Sequence, residues 1–411
     1  LEAVLTMREI GARGDAVAAG EDGPVYAAYA LPGEVVRARV LGDRAEVVAV
    51  ESPSPDRVAP VCRHFGRCGG CQLQHWAQAP YLDWKREQVV SALARRGIEA
   101  PVSAIIPAFE GGRRRAAFHG ARAGKTIKVG FVERGGARIG PILECPVLAP
   151  GLSAALPALA ALTQRFGPEK GALTFPTLLT DTGLDIDVKG AGRVAQMDRA
   201  ALEDCAAIAR EHDLARLSFD GEPAATLRPP RVRMGQAIVQ PPPGAFLQAT
   251  AAGEAVLGAL VQTALKGAER AADLFSGIGT FALRLAQDME VLAVEGDEAM
   301  LAALKAAADG VGGLRGVQTT RRDLLRQPLS WLELKRFDSV VFDPPRSGAK
   351  LQAEQIARSK ATKVAAVSCD PATFARDVRV LIDAGFSLVQ TTPVDQFHYS
   401  PHVEIVGVLQ R

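Results

Sequence analysis

From about residue 245 the chain alternates helix-patterned and strand-patterned stretches, and no other feature restricts its fold as strongly. GEAVLGALVQTAL has a helical apolar rhythm, and RAADLF after it reads as a short buried strand. GTFALRLAQ and EVLAVE repeat the pair, and DEAMLAALKAAADG adds another helix. FDSVVFD and KVAAVS are strands, each with a helical segment after it, and VEIVGVLQ closes the chain as a strand. Such alternation predicts an α/β fold with a doubly wound, mostly parallel sheet. Ligands of these sheets bind at the carboxyl ends of the strands.

The first half is patterned differently. Residues 1–51 alternate apolar and polar, as in EVVRARVLGDRAEVVAV, with turn signals at Gly33 and Gly42-Asp43, which predicts a small β-barrel or sheet. ESPSPDRVAP follows as a linker. APYLDWKREQVVSALARRG has a helical period with Gly97 as its C-cap, and RRRAAF, KTIKVGFVE and LDIDVKGAGRVAQ predict antiparallel strands and hairpins. A length of 411 residues fits two or three domains. The net charge of +2 confines any nucleic-acid surface to a local patch. No apolar run of about 18 residues and no secretory leader pattern is found, so no membrane span and a cytoplasmic location are expected. A monomer is expected as well. Six cysteines are too few for a disulfide scaffold, and clustered cysteines in a reducing compartment point to metal or catalysis.

In ADLFSGIGTFAL, Gly277 and Gly279 stand directly after a strand and before a helix, where glycines permit a tight turn and close approach to a ligand. Glu295 ends the next strand, placed to bind ribose hydroxyls, and Asp323 follows after the next helix, near an adenine position. A G-x-G alone is as often a packing turn; the acid at the next strand end tips the balance. Ala282 replaces the third glycine of the dinucleotide fingerprint, and no phosphate-loop lysine is present. A nucleoside cofactor without a pyrophosphate, such as S-adenosylmethionine, fits better than NAD or ATP. In VVFDPPRSG, Asp343 sits at another carboxyl edge, held by two prolines.

Cys369 ends the following strand on that same edge. A lone cysteine is most often inert and buried, but beside a methyl-donor pocket a nucleophile is the better reading. Uracil C5 is a poor nucleophile, and a thiolate adding to C6 turns the ring into an enolate whose C5 can attack a sulfonium methyl. A base must then remove the C5 proton. SPHVEIVGV offers His402 and Glu404, placed on one face by alternation, with Glu404 as the natural base.

SCDPATFARD, FDPPRSG, DLFSGIGTF and HVEIV together resemble the RNA uracil-5-methyltransferase family, over essentially the whole chain. The cysteines narrow the resemblance to the iron–sulfur-containing 23S ribosomal-RNA branch. It implies Cys369 as nucleophile and Glu404 as base. It implies cofactor contacts at Gln248, Phe275, Thr280, Glu295, Asp323 and Asp343, and an aromatic near the substrate at Phe246. Thr280 and Asp370 stand where the family commonly has Asn; Asp370 would raise the thiol pKa unless its side chain caps the next helix. The implied architecture is a Rossmann-like methyltransferase domain (75–98 and 241–411), a TRAM-like, RNA-binding β-barrel (1–51) and a central β-rich iron–sulfur domain (52–74 and 99–240).

Cys62, Cys68 and Cys71 follow a C-x5-C-x2-C spacing that lacks the second knuckle of a typical zinc site. The resemblance adds Cys145 and assigns the four to a [4Fe–4S] cluster; zinc, with His64 or His75 as substitute ligands, is the runner-up. Cys205 falls in a helical run and reads as buried. Arg113, Arg114 and Arg115 form a local basic focus for RNA phosphates, and a uridine in folded RNA must be flipped out to reach Cys369. A tRNA target, an amino-group methyltransferase, and a noncatalytic iron–sulfur RNA-binding or assembly factor are the competing functions.

Overall fold

The structure is a computed structural model, and it describes residues 2–124 and 126–411. Leu1 and Lys125, counted above in the barrel and in KTIKVGFVE, lie outside the described residues. The N-terminal segment closes into a five-stranded barrel of Glu2–Ile10, Ala16–Gly20, Gly23–Ala27, Val35–Leu41 and Arg44–Ser52. The expected alternation sets its faces: Val36 and Ala38 point inward while Arg37 and Arg39 are exposed. Leu41 pairs with Arg44 across the predicted two-residue turn, where Gly42 takes φ 60°. The linker is fixed to the barrel, because Arg57 donates to both oxygens of fully buried Glu34, at 2.5 and 2.7 Å.

The helix Gln78–Ala94 follows, with Gly97 left-handed just past its end as expected. Tyr81, Lys85, Val89 and Leu93 recur every fourth residue and form its buried face. Val89 and Leu93 join the core of the C-terminal sheet. A central seven-stranded sheet comes next, built on Arg115–Ala123 and Thr126–Val132, and the helices Leu156–Phe166 and Arg199–Glu211 share its core. Its strand Gly183–Val188 pairs parallel with Arg216–Phe219, a departure from the all-antiparallel expectation. Cys205 is fully buried in that core, as its helical setting suggested.

The C-terminal half forms an eight-stranded sheet in the order Val317–Arg321, Glu290–Glu295, Arg270–Leu274, Ser339–Phe342, Lys363–Ser368, Glu404–Gln410, Ser387–Asp395, Ile106–Pro107. The first five strands are parallel. Glu404–Gln410 is inserted antiparallel between Lys363–Ser368 and Ser387–Asp395. Three strands escaped the sequence reading. Val317–Arg321 is a half-exposed, polar edge; Ser387–Asp395 carries Pro393 and a register shift; Ile106–Pro107 is two residues long. The helix expected over GTFALRLAQ shortens to Ala282–Leu285.

Two consequences position the site. Arg270–Leu274 pairs with Glu290–Glu295 on one side and Ser339–Phe342 on the other, which opens a crevice at the switch point of strand order. The last strand runs backwards, so its first residue sits at the carboxyl edge of its parallel neighbour. Ser368 pairs with Ile405, which sets Glu404 beside Cys369.

Candidate active site

One cavity of about 590 Å³ opens at this edge. It is lined by all eight residues expected of the catalytic and cofactor sets: Gln248, Phe275, Thr280, Glu295, Asp323, Asp343, Cys369 and Glu404. Phe275 directly follows the central strand with φ 65°, a left-handed turn unusual for an aromatic residue and typical of constrained functional loops. Asp273, fully buried behind it, accepts from Ala282 N at 2.8 Å and so fixes the start of the short helix. Gly277 donates its N–H to Glu295 at 3.0 Å, and its Cα faces open space. At Gly279, φ +99°, an added Cβ would come within 2.9 Å of Leu283 and 3.0 Å of Leu304. The first glycine thus keeps the cavity open and the second lets the helix approach.

Asp343 is held by Gln248, whose Nε2 donates to Oδ2 at 3.3 Å. Gln248 Oε1 accepts from Gln396 Nε2 at 2.7 Å, and the same nitrogen donates to Glu404 Oε1 at 3.1 Å. Burial raises the pKa of both carboxylates; Asp343 pushes Glu404 further up, and the Gln396 and Gln248 amides pull against these shifts. The Cys369 thiol is pushed up to about 12, by burial first and then by Glu404 and Asp343, with the Arg346 guanidinium opposing. Asp370 is an N-cap, accepting from Ala372 N and Thr373 N at 3.0 Å each, and its charge still adds to the rise of the Cys369 pKa, as the smallest of these causes.

His402 also lines the cavity, but the strand begins at Glu404, so His402 belongs to the preceding loop and not to a shared strand face. Its Nδ1 lies 3.2 Å from Arg346 Nη2. The arginine run divides three ways. Arg114 is spent inside the protein, on buried Glu254 and on the Gln248 carbonyl, which corrects its expected role as a phosphate ligand. Arg115 lies 4.2 Å over the Phe246 ring, and both line the cavity mouth, where Phe246 is 51% exposed. Arg113 stands over Phe397 and lines a neighbouring cavity.

Residues 236–411 match the family model described as tRNA (uracil-5-)-methyltransferase. An RNA methyltransferase of Caulobacter vibrioides is 48% identical, covering 99% of this chain and 99% of that protein. The 23S rRNA (uracil(1939)-C(5))-methyltransferase of Halomonas elongata is 34% identical, covering 99% of this chain and 89% of its own length. The chain belongs to the RNA uracil-5-methyltransferase family. Its fold is also that of the Pyrococcus abyssi tRNA (uracil-54, C5)-methyltransferase solved with S-adenosyl-L-homocysteine (TM-score 0.74, 21% identity, 100% of both chains covered).

The methyltransferase is S-adenosylmethionine-dependent, and the crevice fits that cofactor: open space over Gly277, an aromatic at Phe275, and carboxylates at two strand ends. Sequence reasoning missed the roles of Gln396 and Arg346, which depend on distant partners, and it named Arg115 only as a phosphate ligand and not as the partner of Phe246. Cys62, Cys68, Cys71 and Cys145 line one separate cavity of about 240 Å³, and none is in a disulfide. Among the described residues no three His, Cys, Asp or Glu side chains converge closely enough to hold a single metal ion. His64 lines that cavity and accepts from Leu143 N at 3.2 Å; His75 is buried against Tyr29 and Phe65, a packing histidine. No described helix is long and apolar enough to cross a membrane.

Proposed function

We propose that the protein methylates uridine C5 in 23S rRNA through a covalent cysteine–uracil adduct. The observation that carries this reading is that Cys369, just past one strand, and Glu404, first in the neighbouring strand, line one cavity with Asp343. Cys369 gives up its thiol proton to solvent and its Sγ forms a bond to C6 of the flipped uracil, as the ring electrons move toward C5 and O4. S-adenosylmethionine, when bound, supplies the electrophilic methyl that C5 takes. Glu404 then accepts the C5 proton, the C5–C6 double bond re-forms, and the C6–S bond breaks to return the thiolate. Gln248, Phe275, Thr280, Glu295, Asp323 and Asp343 hold the cofactor. Burial, Glu404 and Asp343 all favour the protonated thiol at rest, with the Arg346 guanidinium working for the thiolate.

The choice of 23S rRNA rests on the Halomonas elongata relative, and tRNA is the second reading because the matching family model is named for it. Cys62, Cys68, Cys71 and Cys145 are assigned to a [4Fe–4S] cluster. A single zinc ion needs its sulfurs about 2.3 Å from one centre. What supports the cluster reading is that all four cysteines line one cavity and none is in a disulfide. Residues 1–51 are assigned to an RNA-binding TRAM-like domain, 52–74 and 99–240 to the iron–sulfur domain, and 75–98 and 241–411 to the methyltransferase domain. One chain supplies every site residue, so a monomer suffices, and reduced cysteines with an RNA substrate suit the cytoplasm.

The test is incubation with 5-fluorouridine RNA and S-adenosylmethionine, followed by a denaturing gel. Wild type forms a covalent band because fluorine cannot leave as a proton does, and Cys369→Ala forms none while still binding cofactor. A band that persists in Cys369→Ala overturns the nucleophile. Mapping 5-methyluridine in rRNA and tRNA from a deletion strain decides between the two RNAs.

A further inference from the structure

We propose that Gln396 is a positioning residue for Glu404, one that also ties the base to the Asp343 side of the cavity through Gln248. This rests on Glu404 acting as the base. Gln396 is completely buried, directly after the strand Ser387–Asp395, and its amide nitrogen faces two acceptors at once: Gln248 Oε1 at 2.7 Å and Glu404 Oε1 at 3.1 Å. Gln248, itself 3% exposed, passes the contact on to Asp343 at 3.3 Å. The result is an unbroken chain of side chains, Asp343–Gln248–Gln396–Glu404.

The direction of the donors matters. Both amides present N–H groups to the carboxylates, which favours the ionised form at each end against the burial that opposes it. Gln396 Oε1 has no hydrogen-bond partner, although it is buried. An amide left unsatisfied on one side is held in place by what it makes on the other, here two N–H bonds from one nitrogen. Glu404 has no other side-chain hydrogen bond partner shown among the described residues, so Gln396 is what sets the rotamer of its carboxylate. Burial and Asp343 both oppose ionisation of Glu404, and the Gln396 N–H works for it. The base therefore needs this amide twice, for aim and for charge.

Gln396→Met keeps the volume and removes the donor; Gln396→Glu keeps the shape and replaces the N–H with an acceptor. The experiment follows single turnovers on an rRNA fragment, separating formation of the protein–RNA adduct from its resolution, across pH 6–9.5. In both variants adduct formation is expected within about threefold of wild type, while resolution at pH 7.5 slows about tenfold or more. The pH midpoint of resolution is expected to rise by about one unit for Gln396→Met and further for Gln396→Glu. Cofactor binding and thermal melting report folding, and either variant alone suffices if the other fails to fold. A merely structural role lowers both steps together and leaves the midpoint in place, which overturns the proposal. Glu404→Gln run alongside separates the two ideas. If it shows no slowing of resolution, the base assignment itself is wrong. If it does slow while both Gln396 variants keep wild-type rates and midpoint, only the role of Gln396 falls.

Discussion

Replacing Glu404 with Gln removes a charge and a basic lone pair but keeps the shape, and two separate consequences follow. Glu404 is only 5% exposed, and its pKa is raised from an ordinary 4.5 by burial first and by Asp343 second. A carboxyl whose pKa is raised on folding holds its proton more tightly in the native state. Stability is then lost as pH climbs above the ordinary carboxylate range, because the unfolded chain ionises freely and the folded one resists. Glu404→Gln escapes this cost. It is expected to match wild type near pH 4.5 and to exceed it by roughly 1–3 kcal/mol at pH 8–9, the scale for relieving a buried charge. Urea unfolding at a series of pH values measures this. The catalytic consequence is opposite in sign. Adduct formation needs no base at C5, so the methyl transfers once, and resolution then slows by about 10²–10⁴-fold. With labelled S-adenosylmethionine and an rRNA fragment, a methylated slow-migrating band accumulates on a denaturing gel. Normal turnover with no such band would remove Glu404 from the mechanism, and a stability difference independent of pH would refute the electrostatic account of its burial.

Protein purified without oxygen is expected to be brown and to carry about four irons per chain, lost on substituting Cys71 with Ser; zinc without iron on metal analysis would defeat the cluster assignment. Arg114→Met is expected to cost about 2 kcal/mol in urea unfolding, less than for an abandoned buried charge, because Glu254 keeps its second partner Arg284 at 2.9 Å. Phe246→Ala is expected to weaken RNA binding by about 1–3 kcal/mol, measured by titration at fixed salt, and to leave cofactor binding unchanged.

The sequence made the catalytic edge legible because the residues there are local to strand ends. Cys369, Asp343, Glu295 and the two glycines each directly follow or end a buried apolar run, and a parallel sheet gathers such positions at one edge whatever the details of packing. Glu404 required more: only the reversed direction of the last strand brings its first residue to that edge, and antiparallel pairing leaves no local signal in VEIVGVL. The arginine run shows the opposite failure. Three adjacent arginines look alike in a sequence, yet Arg114 is held internally because Glu254 arrives from a helix 140 residues away. Gln396 was invisible for the same reason; its partners lie at positions 248 and 404.

The segment between Asp395 and Glu404 unites these separate pieces. Asp395 is fully buried and takes Lys85 Nζ at 2.6 Å and the Tyr81 hydroxyl at 2.9 Å, both from the helix Gln78–Ala94. Tyr399, left-handed at φ 62°, donates its N–H to that same Tyr81 oxygen at 3.0 Å. Its carbonyl accepts from Gln72 N at 2.8 Å and Leu73 N at 3.1 Å, the two residues directly after Cys71. Phe397 and His402, from the same segment, line the catalytic cavity. Breaking a buried pair such as Lys85–Asp395 is costly because the survivor keeps an unpaired charge, so this segment has little freedom to shift. The cysteine loop, the helix and the proposed base are therefore held through one short stretch of chain. The two residues after Cys71 thus hold the same stretch of chain that leads into the strand of Glu404.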